Sequence, residues 1–162
     1  MNQTHIHLLV THLPIFGSIL GGLVLAHGLW TKSNPTKMAA YNIFIVAAIG
    51  AGIAYLTGEA AEETVENVQG VADNVIEQHE ELAVFALVSL LVLGAASIGG
   101  LILTLKESAV TRTGAVIILL ISLISFGLAA RTGYLGGQIR HTEIYNPPAT
   151  TQGQGGESEE GD

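Results

Sequence analysis

The stretch Leu82–Leu105, LAVFALVSLLVLGAASIGGLILTL, runs for 24 residues without a single Asp, Glu, Lys or Arg. A helix rises about 1.5 Å per residue, so roughly 20 such residues cross the hydrocarbon core of a bilayer. A lipid-facing barrel strand would be half as long and would alternate polar with apolar residues. Three more runs share this character: Ile6–Trp30, Met38–Thr57 and Gly114–Ala130, the last extended by Arg131 and Thr132. The sequence therefore predicts an all-α integral membrane protein with spans at about 6–30, 38–57, 82–105 and 114–132. The short links Thr31–Lys37 and Lys106–Thr113 force neighbouring spans to be antiparallel, which gives an up-down-up-down four-helix bundle.

Composition agrees with this reading and excludes several classes of function. Of the 162 residues, 49% are apolar and only 12% charged, too greasy for an ordinary soluble domain. A net charge of −8 without any cluster of Lys and Arg argues against nucleic acid. Cysteine is absent, which removes disulfides, thiolate metal sites and covalent c-type haem. No phosphate-binding glycine motif follows a strand, and no nucleophile elbow or triad order supports hydrolysis, so an enzyme is not expected.

Charge also orients the bundle. The two short links hold Lys32, Lys37, Lys106 and Arg112 against Glu107 alone, whereas the other side holds Arg131 and Arg140 against all the remaining acids. Cations in short loops stay cytoplasmic, so both termini are expected on the periplasmic side of a bacterial inner membrane. The first seventeen residues carry no Lys or Arg, so the first span is expected to be retained rather than cleaved as a signal peptide. The four-helix domain is read as 1–145. Its outer link, about 59–80, is read as an amphipathic surface helix, and the Pro-, Gly- and Glu-rich residues 146–162 as a disordered acidic tail.

A weak internal duplication appears when residues 5–62 are laid against 76–137, pairing His12 with His79 and Thr57-Gly58 with Thr132-Gly133. Each Thr-Gly reads equally well as a helix stop. Small residues at Gly17-xxx-Gly21, Ala48-xxx-Gly52, Ala95-xxx-Gly99 and Ala96-xxx-Gly100 would let helix backbones approach closely. Pro14 cannot donate to the carbonyl of Val10, so it starts or kinks the helix next to His12.

Five of the six histidines, His5, His7, His12, His79 and His141, fall at the outer side, and only His27 at the inner. Paired histidines can thus support one haem, at the outer level. In an up-down-up-down bundle the first and third spans are diagonal, so His12 and His79 could meet across the centre as axial ligands of a b-type haem. Arg131 and Arg140 could neutralise its propionates, because guanidinium matches carboxylate in a fork. His7 and His12 are about 140° apart around a helix and cannot face one ligand unless Pro14 distorts the turn, leaving His7 with His141 as a second pair. Glu59, Glu62, Glu63 and Glu66, with Glu77, Glu80 and Glu81 around His79, form an acidic face that could hold a divalent metal. The paired Glu-x-x-His of di-iron bundles is missing.

The run His7-Leu8-Leu9-Val10-Thr11-His12-Leu13-Pro14 resembles the opening His-Pro-x-x-x-His-Phe-Pro of a bacterial four-helix membrane family, domain of unknown function 2231. Thr57-Gly58, the His79 entry to the third span and Thr132-Gly133-Tyr134-Leu135-Gly136-Gly137 are similar to its later landmarks, so the resemblance covers about His7–Ile144. Leu8 replaces the usual Pro and Leu13 the usual Phe, and His141 is shifted from the family's usual position. Family members also occur fused to Rieske-type or cytochrome c modules. The resemblance implies haem-binding histidines and a place in membrane electron transfer, with periplasmic redox proteins or other membrane subunits as partners. The alternative is a non-redox membrane subunit or scaffold whose His- and Glu-rich outer face binds a partner or a divalent metal.

Overall fold

The computed structural model describes residues 3–65 and 73–140, with side chains at 3–58 and 74–139. It contains five helices: α1, Gln3–Val10; α2, His12–Trp30; α3, Asn34–Val65; α4, Asp73–Leu105; and α5, Thr111–Arg140. α1 and α2 are two parts of one span, interrupted at Thr11, because Pro14 offers no N–H to the carbonyl of Val10. α2 packs on α3, α3 on α4, α4 on α5, and α5 closes the ring against α2, while α1 lies against α3 at the end of the bundle away from the two short turns; this end is called outer, and the end with the turns inner. Among the described residues, four helical spans are long and apolar enough to cross a membrane: Gln3–Trp30, Asn34–Gly58, Asn74–Leu105 and Thr111–Ile139. The chain is a multi-pass, all-α membrane bundle.

Its polarity is that of a protein dissolved in lipid. Leu9, Leu23, Leu56, Ile124 and Phe85 are exposed around the outside, whereas Ser18, Ser97, Ser122 and Ser125 are buried in the middle. Water would penalise such an apolar surface, but acyl chains do not, so the helices associate through close packing rather than hydrophobic burial.

Along each of α2 to α5 one row of buried positions steps alternately by four and three. On α2 they are Pro14, Ser18, Gly21, Leu25 and Gly28; on α4, Ala86, Leu90, Leu93, Ser97, Gly100 and Thr104. α3 gives Ala40, Phe44, Ala47, Ala51 and Ala54, and α5 gives Thr111, Ala115, Ile118, Ser122, Ser125 and Ala129. A mean step of 3.5 residues is the seam of left-handed, coiled-coil-like packing. Large residues on one hairpin match small ones at equivalent seam positions on the other: Phe44 against Ser122, Leu25 against Ser97, Leu90 against Ser18. Such alternation of large and small residues lets facing helices interdigitate.

Glycines set the helix spacing. A Cβ at Gly17 would come 2.6 Å from that of Ala47, one at Gly94 2.6 Å from that of Ala48, and one at Gly100 2.6 Å from Ile118. Gly17-xxx-Gly21 therefore faces α3 with both residues, since Gly21 meets Phe44. Gly52 and Gly99 meet nothing within 4 Å, so Ala48-xxx-Gly52 is used only at Ala48 and Ala95-xxx-Gly99 is not used at its glycine.

The outer helix ends differ from the sequence reading. α3 runs through Thr57-Gly58 to Val65, α4 already begins at Asp73, and α5 runs through Thr132-Gly133 to Arg140. Neither Thr-Gly is a stop, and the expected surface helix at 59–80 is largely the continuation of α3 and α4. Charge marks where the bilayer ends, not the helix, and the Ala- and Glu-rich segment after Gly58 favours continued helix. Residues 66–72, the expected tail at 146–162, His141, and the side chains of Glu59, Glu62, Glu63, Glu66 and Arg140 lie outside the described residues.

Candidate functional site

The outer end of the bundle holds the same device twice. On the first hairpin the Nδ1–H of His7 donates to the carbonyl of Ala54 on α3, at 2.8 Å. On the second, the Nδ1–H of His79 donates to the carbonyl of Thr132 on α5, at 3.0 Å. Four residues beyond each carbonyl stands a glycine against the imidazole. A Cβ at Gly58 would lie 3.6 Å from Cε1 of His7, and one at Gly136 3.1 Å from Cε1 of His79.

These are equivalent positions of the seams. His7 precedes Pro14 by one heptad and His79 precedes Ala86 by one heptad, while Gly58 and Gly136 extend the α3 and α5 seams outward. Both rings are half-buried.

A carbonyl only accepts, so each Nδ1 carries the ring proton and each Nε2 of the neutral imidazole carries the lone pair. This is the tautomer a metal-ligating histidine adopts, with its other nitrogen fixed on a backbone carbonyl. The pair presents two imidazole Nε2 atoms at one end of the bundle.

The expected partnership of His12 with His79 is not what the structure contains. His12 begins α2 on the exposed side, its Nδ1–H donating to the carbonyl of Leu8 at 3.1 Å and its ring parallel to that of Phe16. The 140° between His7 and His12 survives the interruption at Thr11, so His7 turns inward and His12 outward. The duplication holds in another register: His7, not His12, is the counterpart of His79, and Ala54 and Gly58, not Thr57 and Gly58, are the counterparts of Thr132 and Gly136.

Arg131 is exposed, its guanidinium 5.4 Å from the centre of the Tyr134 ring, and it does not reach into the pair. His5 is exposed on α1, and His27 packs edge-on to Trp30 at the inner end. Glu77, Glu80 and Glu81 are exposed, and among the described residues no group of three or more His, Asp and Glu could hold a metal ion.

What the sequence reading missed was the seam. Carried outward at 3.5 residues per turn from Ser18 and Pro14, it reaches His7 and passes His12 by. Comparison with protein-family models, curated proteins and solved structures found no match to the chain.

Proposed function

We propose that this chain is a membrane electron carrier of a bacterial inner membrane that holds one low-spin b haem at the outer end of its bundle, with His7 and His79 as axial ligands. The observation that carries the reading is the repeated imidazole-to-carbonyl bond, which presents two Nε2 lone pairs from two equivalent seams. The donor set fits non-covalent haem: two imidazoles, no thiolate, with glycines Gly58 and Gly136 against the two rings. Bound there, haem would supply one-electron redox chemistry.

The protein's own part is positioning. The carbonyls of Ala54 and Thr132 fix the tautomer, orient each ring and raise the basicity of Nε2. The packed seams below the pair keep water from the inner half of the bundle. Arg131, engaged on Tyr134, is assigned no propionate contact in this proposal. The resemblance to domain of unknown function 2231 supports the reading and makes periplasmic redox proteins the partner class. The cations of the inner turns support an orientation with both termini on the periplasmic side.

The deciding experiment is an absorbance spectrum of detergent-purified protein made with ample haem supply. A Soret band with the reduced α and β bands of a low-spin b haem is expected. A colourless protein would overturn the proposal in favour of a non-redox membrane subunit. For the orientation, Ser33→Cys should be shielded from an impermeant thiol reagent in intact cells and Ser158→Cys labelled; the opposite pattern reverses it.

A further inference from the structure

Two of the four serines buried in the middle of the bundle have no hydrogen-bond partner. Ser97 on α4 and Ser125 on α5 are each 0% exposed, and neither Oγ meets a donor or an acceptor among the described residues. The other two turn back on their own helix, as serine in a helix commonly does. Ser122 donates to the carbonyl of Leu119 at 2.8 Å and Ser18 to that of Pro14 at 2.7 Å. A hydroxyl shut inside a membrane bundle and left unpaired is costly, because neither lipid nor bulk water can reach it.

The hydroxyls of the second hairpin stand together. A Cβ at Gly100 would lie 2.6 Å from Cδ1 of Ile118, which sets α4 against α5 at that level. One turn further out on these antiparallel helices come Ser97 and Ser122, and Ser125 follows about 4.5 Å beyond Ser122 on α5. All three occupy seam positions, with Ser122 between the other two. Its proton is committed to Leu119, so Ser122 has only lone pairs left to offer, and a glycine stands beside it: a Cβ at Gly22 would come 3.1 Å from its Oγ. Neither unpaired hydroxyl reaches Ser122 directly. The complementary ligand must therefore both accept and donate, and be small. It must also be neutral, because the four apolar runs hold no Asp or Glu to balance a cation at this depth. Water meets all three conditions.

We infer that the middle of the second hairpin binds water, one molecule beside Ser97 and a second beside Ser125, each accepting from that serine's O–H and donating towards Ser122. These are isolated molecules, cut off from bulk water by the packed seam. They lie roughly 10 Å inward of Thr132 at the helical rise, so the inference does not depend on haem at the pair of His7 and His79.

The test uses the full chain, deuterated except at exchangeable sites, in deuterated detergent, and reads rotating-frame Overhauser transfer from water to backbone amides. Cross-peaks should appear at residues 97 and 125 and be missing at Leu25 and Phe44, which are 0% exposed on the first hairpin. Ser97→Ala should remove the first cross-peak and keep the second, and Ser125→Ala the reverse. Each variant should also unfold a few degrees lower, since it loses a satisfied hydrogen bond, whereas deleting an unpaired hydroxyl would raise the midpoint. Absence of both cross-peaks from the unmodified protein would overturn the inference and mean that the two hydroxyls turn back on the carbonyls of Leu93 and Ile121, as Ser18 does on that of Pro14. Cross-peaks that persist in the alanine variants would overturn it too, because the water would then sit on other groups, and so would a raised midpoint in both variants.

Discussion

The two hairpins are alike at both ends and differ in one helix. At the outer end each fixes a histidine of its leading helix on a carbonyl of its returning helix, with a glycine four residues further on. At the inner end each leading helix closes in the same way. The N–H of Ser33 reaches the carbonyl of Gly28 and that of Ser108 reaches Leu103, with Lys32 and Glu107 at positive φ. But the leading helix of the first hairpin is broken at Thr11 and bears His12, while α4 runs unbroken through the equivalent residue, Val84. What recurs in both hairpins is the histidine-to-carbonyl bond with its glycine, and what occurs in one is the break at Thr11 beside His12.

The largest expected effect tests that division. If the proposed haem is bound, His7→Ala and His79→Ala should each abolish its low-spin spectrum, because each would remove one of the two proposed axial ligands. His12→Ala should leave it intact. Should His12→Ala bleach the protein while His7→Ala does not, the equivalence of the hairpins would have no functional meaning.

Sequence alone showed the four spans and their antiparallel order, because an uninterrupted apolar run of membrane length is at home in little besides a bilayer. It misjudged the outer helix ends by up to nine residues, at α4, since Glu59 or Glu77 ends the bilayer without ending the helix. It also paired His79 with His12, where the equivalent backbone-bonded histidine is His7. The duplication was anchored on the conspicuous Thr-Gly pairs, whereas equivalence runs through seam positions whose residues differ: Pro14 with Ala86, Phe44 with Ser122, Ala54 with Thr132. Packing conserves the 3.5-residue step and the summed volume across the axis, not residue identity, so the repeat is geometric. The acceptor carbonyls of His7 and His79 had no sequence signal at all, since every residue carries one.

Packing supplies the next test. A methyl at Gly17 would press on Ala47 within the first hairpin, and one at Gly94 on Ala48 between the hairpins, each at 2.6 Å from Cβ. Gly17→Ala and Gly94→Ala should each cost about 1–3 kcal/mol by overpacking, read as a lowered thermal midpoint in detergent. Gly52→Ala and Gly99→Ala, with nothing within 4 Å, should gain up to about 1 kcal/mol from helix propensity. Destabilisation at Gly94 alone would mean that the hairpins are independently robust and weak only where they join.

The inner turns give a smaller effect. Lys32 and Glu107 sit at φ of 57° and 51°, the left-handed conformation that terminates a helix and that costs a residue with a Cβ about 1–2 kcal/mol relative to glycine. Lys32→Gly and Glu107→Gly should therefore each stabilise the bundle modestly and by similar amounts. A gain at one turn only would show that the two turns, though alike in hydrogen bonding, do not carry equal strain.

The smallest effect concerns the one quantitative difference between the two histidine sites. An added methyl at Gly58 would sit 3.6 Å from the ring of His7, an ordinary contact, whereas at Gly136 it would sit 3.1 Å from the ring of His79, closer than such contacts normally run. Gly58→Ala should leave the haem spectrum unchanged. Gly136→Ala should displace the ring of His79 by a few tenths of an ångström, straining its bond to the carbonyl of Thr132 and shifting the reduced α band and the midpoint potential without loss of haem, because orientation and basicity of the ligand both pass through that hydrogen bond. Stability measured alongside separates this from a packing defect: a displaced ligand changes the spectrum of a bundle that unfolds at nearly its original temperature. A lower unfolding temperature with an unchanged spectrum would assign Gly136 to helix packing and leave His79 indifferent to it.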